Sequence, residues 1–183
     1  VDNGVAASGN VTVATGATLI SAATSSSNPV VSRIGTARAG DLIVDGTLVL
    51  QGMAPFIDMN SVVFSGTVDY GSAGGQALAQ ATSGAASPTL YTHLVLSGNG
   101  TKGLVNNITV TKRVTCAGAA TFGTGAFGVT YAPGMMLEYA GALAQTTGPE
   151  FPSTGIDHLT IANTKGVTLA EDRSVTGTLT LTA

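Results

Sequence analysis

The sequence predicts an all-β protein, a parallel β-helix or β-solenoid built from repeats of about 65 residues. Three observations carry that expectation. Strand-like segments recur along the whole chain, apolar residues at three- and four-residue spacing are nearly absent, and an internal repeat is visible. The same strand density also fits a β-sandwich or jelly roll of about 8 to 12 short strands, which stays open as the competing architecture.

In chain order, the strand candidates are VTV at 11–13, DLIVDGTLVL at 41–50, SVVFSGTVDY at 61–70 and LYTHLVL at 90–96. NITVTKRVTC at 107–116, MMLEYAG at 135–141, DHLTIA at 157–162 and SVTGTLTLT at 174–182 follow. Each is rich in β-branched residues and bounded by Gly, Asn, Ser or Pro, the composition of a pleated segment between turns.

The repeat is read by aligning Tyr70 with Tyr139, which pairs TVDYGSAGGQALAQAT at 67–82 with MLEYAGALAQTT at 136–147. HLVL at 93–96 then meets HLTI at 158–161, and VTKRVTC at 110–116 meets VTGTLTL at 175–181, both at an offset of 65. VDGTLVL at 44–50 is a third copy of the last segment. The expected organisation is one domain over 1–183, with a degenerate unit at 1–66, a repeat at 67–135 and a partial repeat at 136–183. A period of 65 is too long for one coil, so each unit is read as about three coils of roughly 20 residues.

Composition narrows the function. Charged residues are 9% of the 183, against about 25% in ordinary domains, and Gly, Ser, Thr and Ala take their place. So little charge favours self-association or contact with neutral surfaces such as glycans. A net charge of −3 with seven scattered Lys and Arg gives no basic patch, so nucleic acid is not an expected partner. No apolar run reaches about 18 residues, so no membrane-spanning helix is expected. The sequence opens on Val1, which reads as a processed or excerpted chain.

The succession LEYAGALAQTTGPEFPSTGIDHLTIANTKGVTLAEDRSVTGTLTLTA resembles a repeat of large secreted bacterial surface proteins, the adhesin-like β-solenoids of filamentous-haemagglutinin and autotransporter-passenger style. The likeness covers 136–183 well, 67–122 loosely and the first 60 residues only through GDLIVDGTLVL. It implies export, a β-helical rod and a structural or adhesive role, and it carries over no catalytic residue.

Motifs with chemical precedent are weak. GTGAFG at 123–128 matches G-x-G-x-x-G but runs on into VTYAPG, which starts no helix, so no anion site is expected. His93 and His158 share a repeat position beside a leucine and should face outward. Glu171, Asp172 and Arg173 are the densest charge cluster; in a carbohydrate-active β-helix they would be the acid and base, but a charged turn explains them. Cys116 reads as a small buried apolar residue, and Asp69 and Glu138 as repeat equivalents with an architectural role. No cofactor is expected; calcium is possible, but no EF-hand or glycine-rich nonapeptide spacing supports it. Asn10-Val11-Thr12 and Asn107-Ile108-Thr109 fit the glycosylation triplet.

The chain closes on GTLTLTA at 177–183, an alternating strand with nothing after it. The expectation is an extracellular or cell-surface structural protein that polymerises head to tail by strand-to-strand contact into a fibre, sheath or adhesive rod. The expected interface is Val175, Thr176, Gly177, Thr178, Leu179, Thr180, Leu181 and Thr182 at one end. Val11, Val13 and Leu19, within a segment from Val5, form the other. An excerpt of a long adhesin and a carbohydrate-active β-helix enzyme are the alternatives.

Overall fold

The computed structural model describes residues 9–22, 30–32, 40–78, 80–81 and 89–182. Among them there is no helix, and parallel strands stack into a β-solenoid with about 21 residues per turn. Every pairing among the described strands is parallel, whereas hairpin-linked strands of a sandwich would be antiparallel, and this decides between the two expected architectures.

The first level carries β1 (Val11–Val13), β2 (Thr18–Ser21) and β3 (Val31–Ser32), and the second β4 (Asp41–Val44), β5 (Thr47–Leu50) and β6 (Phe56–Asp58). The third has β7 (Ser61–Tyr70), β8 (Gln76–Ala77) and β9 (Gln80–Ala81); then come β10 (Leu90–Leu96) with β11 (Asn99–Gly103) and β12 (Ile108–Cys116) with β13 (Ala119–Gly123). Next are β14 (Val129–Tyr131), β15 (Met136–Tyr139) and β16 (Gln145–Thr146), then β17 (Ile156–Ile161) with β18 (Val167–Thr168), and last β19 (Val175–Leu181). The main wall runs β1-β4-β7-β10-β12-β15-β17-β19, with β2, β5 and β14 on the same sheet.

Alternation along each strand sends every second residue inward. Register then lines the inward residues up in columns. One reads Leu19, Leu48, Val68, Leu94, Val114, Leu137, Leu159, Leu179, and its neighbour reads Ser21, Leu50, Tyr70, Leu96, Cys116, Tyr139, Ile161, Leu181. From Leu48 to Leu159 the first column is at most 4% exposed. His93 registers with Arg113, Arg113 with Met136 and Met136 with His158, so the 65-residue offset is three coils.

The expected single strand 41–50 is two. The chain bends at Asp45 and Gly46, both of whose N–H groups donate to the Val13 carbonyl at 2.9 Å. Close stacking at this bend explains the recurring Gly-Thr. A Cβ on Gly66 would lie 2.1 Å from the Gly46 carbonyl oxygen, and one on Gly177 would lie 2.5 Å from the Asp157 carbonyl oxygen. Only glycine lets the backbone of one coil approach its neighbour so closely.

Candidate functional site

The structure places the expected interface residues at opposite edges of the main sheet, β1 and β2 at one and β19 at the other. Residues 5–8 of the expected N-terminal edge lie outside the described residues. The two edges are not equivalent. At the first, Val13 is buried and Val11 and Leu19 are half-buried. At the other, Leu179 is 55% and Leu181 69% exposed although both continue the core columns, and Leu169, between β18 and β19, is exposed as well. Val175 is half-buried, and Thr176, Gly177, Thr178, Thr180 and Thr182 are exposed.

β19 is firmly held on its one paired side. It registers with β17 from Ile156 to Ile161, Thr182 N–H donates to the Ile161 carbonyl at 2.9 Å, and Thr176 Oγ1 donates to Asp157 Oδ1 at 2.8 Å. Asp157 also accepts the Gly134 N–H at 2.5 Å, and these donors hold its carboxyl below the usual carboxylate range. Thr178 N–H meets His158 Nδ1 at 3.2 Å. The other side of β19 pairs with no described strand, and parallel pairing leaves alternate N–H and C=O groups pointing there.

His93 and His158 are half-buried on the outer face; burial, then Arg113 and Lys112, push the His93 imidazole below its ordinary pKa. Glu171 pairs with Arg173 at 2.8 Å in the turn before β19. Cys116 is buried, and burial pushes its thiol up. Among the described residues no group of three His, Cys, Asp or Glu is placed to hold a metal. Asn10 and Asn107, the two triplet asparagines, accept the backbone N–H of Asp41 and Gly128 in the next coil, at 3.0 and 2.8 Å. Asp69 accepts Ser97 Oγ at 2.6 Å, with burial raising its carboxyl, and Glu138 accepts Thr115 Oγ1 at 2.9 Å. Tyr70, Tyr91 and Tyr139 are wholly buried and offer no stacking platform.

A buried polar device escaped the sequence reading. Gln76 accepts Ser72 N–H through Oε1 at 3.2 Å and donates through Nε2 to the carbonyls of Leu50 and Gly52 in the preceding coil, at 2.8 and 2.7 Å. Gln145 does the same with Gly141 N–H and the Cys116 carbonyl, both at 3.1 Å. Asn163 donates to the Leu143 carbonyl at 2.7 Å and to Gln145 Oε1 at 2.8 Å. Lys102, wholly buried, donates through Nζ to Ser72 and Gly74 carbonyls at 2.8 and 3.0 Å, and burial lowers its pKa. The clamps add side-chain donors at the turns, where the Leu50, Cys116 and Ser72 carbonyls also accept a backbone N–H from the following coil. The available signal was that Gln76 and Gln145 both stand six residues after the aligned tyrosines.

No family model matches the chain, and no curated protein or solved structure is significantly similar to it. The molecule is therefore described by its architecture, a repeat-built β-solenoid.

Proposed function

We propose that this chain is an extracellular structural protein whose solenoid is lengthened by strand addition at β19, with the first coil of a second copy seated under the last coil of the first. The observation that carries the reading is the continuation of two core columns to Leu179 and Leu181, where they meet solvent. An apolar column in correct register, next to unpaired backbone groups, is what a parallel strand recognises. The low charge of the surface opposes such contact little, and a head-to-tail contact does not close on itself, so it yields a rod.

Sedimentation velocity over a concentration series tests this, comparing the wild-type chain with Leu179→Lys/Leu181→Lys. Both positions are exposed in the single chain, so the variant is expected to fold and stay monomeric while the wild type grows. A wild type that remains monomeric at high concentration, or a dimer that grows no further, refutes the head-to-tail rod. The same edge fits a further coil of one polypeptide, as in the long adhesins the repeats resemble. A reading frame that continues the Leu/Thr alternation beyond residue 183 would make that coil the occupant.

A further inference from the structure

The main wall is unbroken, but the second wall is not. β8, β11 and β13 form one ladder and β16 and β18 another, with no pairing between β13 and β16. A cavity of about 420 Å³ opens at that interruption, lined above by Ala119, Ala120 and Phe122 and below by Gln145, Thr147 and Glu150, with Cys116 and Tyr139 also on its wall. It is of the size that takes a small molecule.

Glu150 is 3% exposed and rigidly placed. Its carbonyl accepts the Tyr131 hydroxyl at 2.8 Å, and its Oε1 accepts both the Tyr139 hydroxyl at 2.6 Å and the Gly148 N–H at 2.7 Å. Oε2 accepts no hydrogen bond from the described residues, and no Lys, Arg or His lines the cavity. Of the other polar groups on the wall, Gln145 is committed to Gly141, Cys116 and Asn163, Thr147 Oγ1 to Ala170 N–H at 3.0 Å and Thr121 to Thr101, while Thr146 stays exposed. Oε2 is not sealed in the core, since Arg173 Nε alone among the described buried side-chain atoms lacks a partner; it is reached by solvent through the cavity, where a cationic donor can replace that water.

We propose that this breach is a binding site for a small organic ammonium ion, whose N–H donors reach Glu150 Oε2 while its apolar body fills the space between Phe122 and Tyr139. A metal ion does not fit. One free carboxylate oxygen falls well short of the about six oxygen ligands of calcium, and the cavity is far larger than an ion. Aromatic walls, by contrast, favour an alkylammonium body.

The test is a titration of the full chain with n-butylammonium chloride, followed by NMR shifts of the Ala119–Phe122 and Ala144–Glu150 amides, with n-butanol as the neutral control. Saturable binding at millimolar concentrations is expected, with Glu150→Gln about tenfold or more weaker and butanol bound no better than to the variant. Ala120→Leu, which fills the cavity from the opposite wall and leaves Glu150 in place, is also expected to lose binding, and it serves should Glu150→Gln not fold. Absence of saturable shifts at about 10 mM in the wild type, or equal binding of butylammonium and butanol, overturns the proposal.

Discussion

Leu137 and Leu179 occupy the same core column two coils apart, so a matched pair of truncations isolates what the open edge does. Leu137 is 0% exposed, and Leu137→Ala removes its full burial and leaves a cavity, a loss of about 3 kcal/mol in folding stability. Leu179 is 55% exposed, so a little under half of its burial is at stake, and Leu179→Ala in the isolated chain costs about 1 kcal/mol. If a second copy covers β19, that side chain becomes interior and its truncation approaches the cost at 137. The assay is urea unfolding at two protein concentrations, one below and one above the onset of association. The gap between the two variants should be wide in the dilute sample and should narrow in the concentrated one. Equal costs in dilute solution, or a gap that ignores concentration, would refute the argument that Leu179 waits for a partner.

Three further outcomes follow from the stacking. Gly66→Ala places a methyl 2.1 Å from the Gly46 carbonyl oxygen, so adjacent coils must part at the bend, with a loss of about 2–3 kcal/mol seen as a lower urea midpoint. Gln76→Leu keeps the side-chain bulk but takes the glutamine partner from the Gly52 carbonyl and the Ser72 N–H, while the Leu50 carbonyl keeps the Gly71 N–H; the cost is about 2–4 kcal/mol, and hydrogen exchange should quicken in the surrounding coils. Asp157 is ionised more readily folded than unfolded, so its stabilising contribution is fully present above the ordinary carboxylate value of 3.8 and is lost as pH falls through the lower folded value. The stability difference between wild type and Asp157→Asn, measured by urea unfolding, should be constant near neutral pH and shrink only below about 3.8.

The main wall was legible because its strands are long and alternate cleanly, as in LYTHLVL and the β19 segment VTGTLTL. The coil length came from the repeat, since three equivalent strands had to fit within 65 residues. The second wall was not legible. NGTKG at 99–103 and AATFG at 119–123 are strands of the second ladder, yet neither is among the strand candidates, because their glycines and small residues carry little strand propensity and tertiary stacking overrides it. Lys102 is one of the seven scattered Lys and Arg of the sequence; its burial depends on carbonyls of the coil above, a long-range feature with no local signature. The exposed apolar column at β19 was anticipated from the Leu/Thr alternation. The cavity at Glu150 was not, since it arises from a missing pairing and no motif marks it.

The central claim is that copies add end to end along the solenoid axis, and mass per unit length tests it most directly. The structure stacks eight strand levels from Leu19 to Leu179. At about 4.8 Å per level a copy advances the rod by about 38 Å. Dark-field electron microscopy of concentrated protein should therefore show rods one chain wide, carrying one 18.0 kDa chain every 38 Å or so. Twice that mass per length, or discrete particles with no rods at any concentration, would contradict the account.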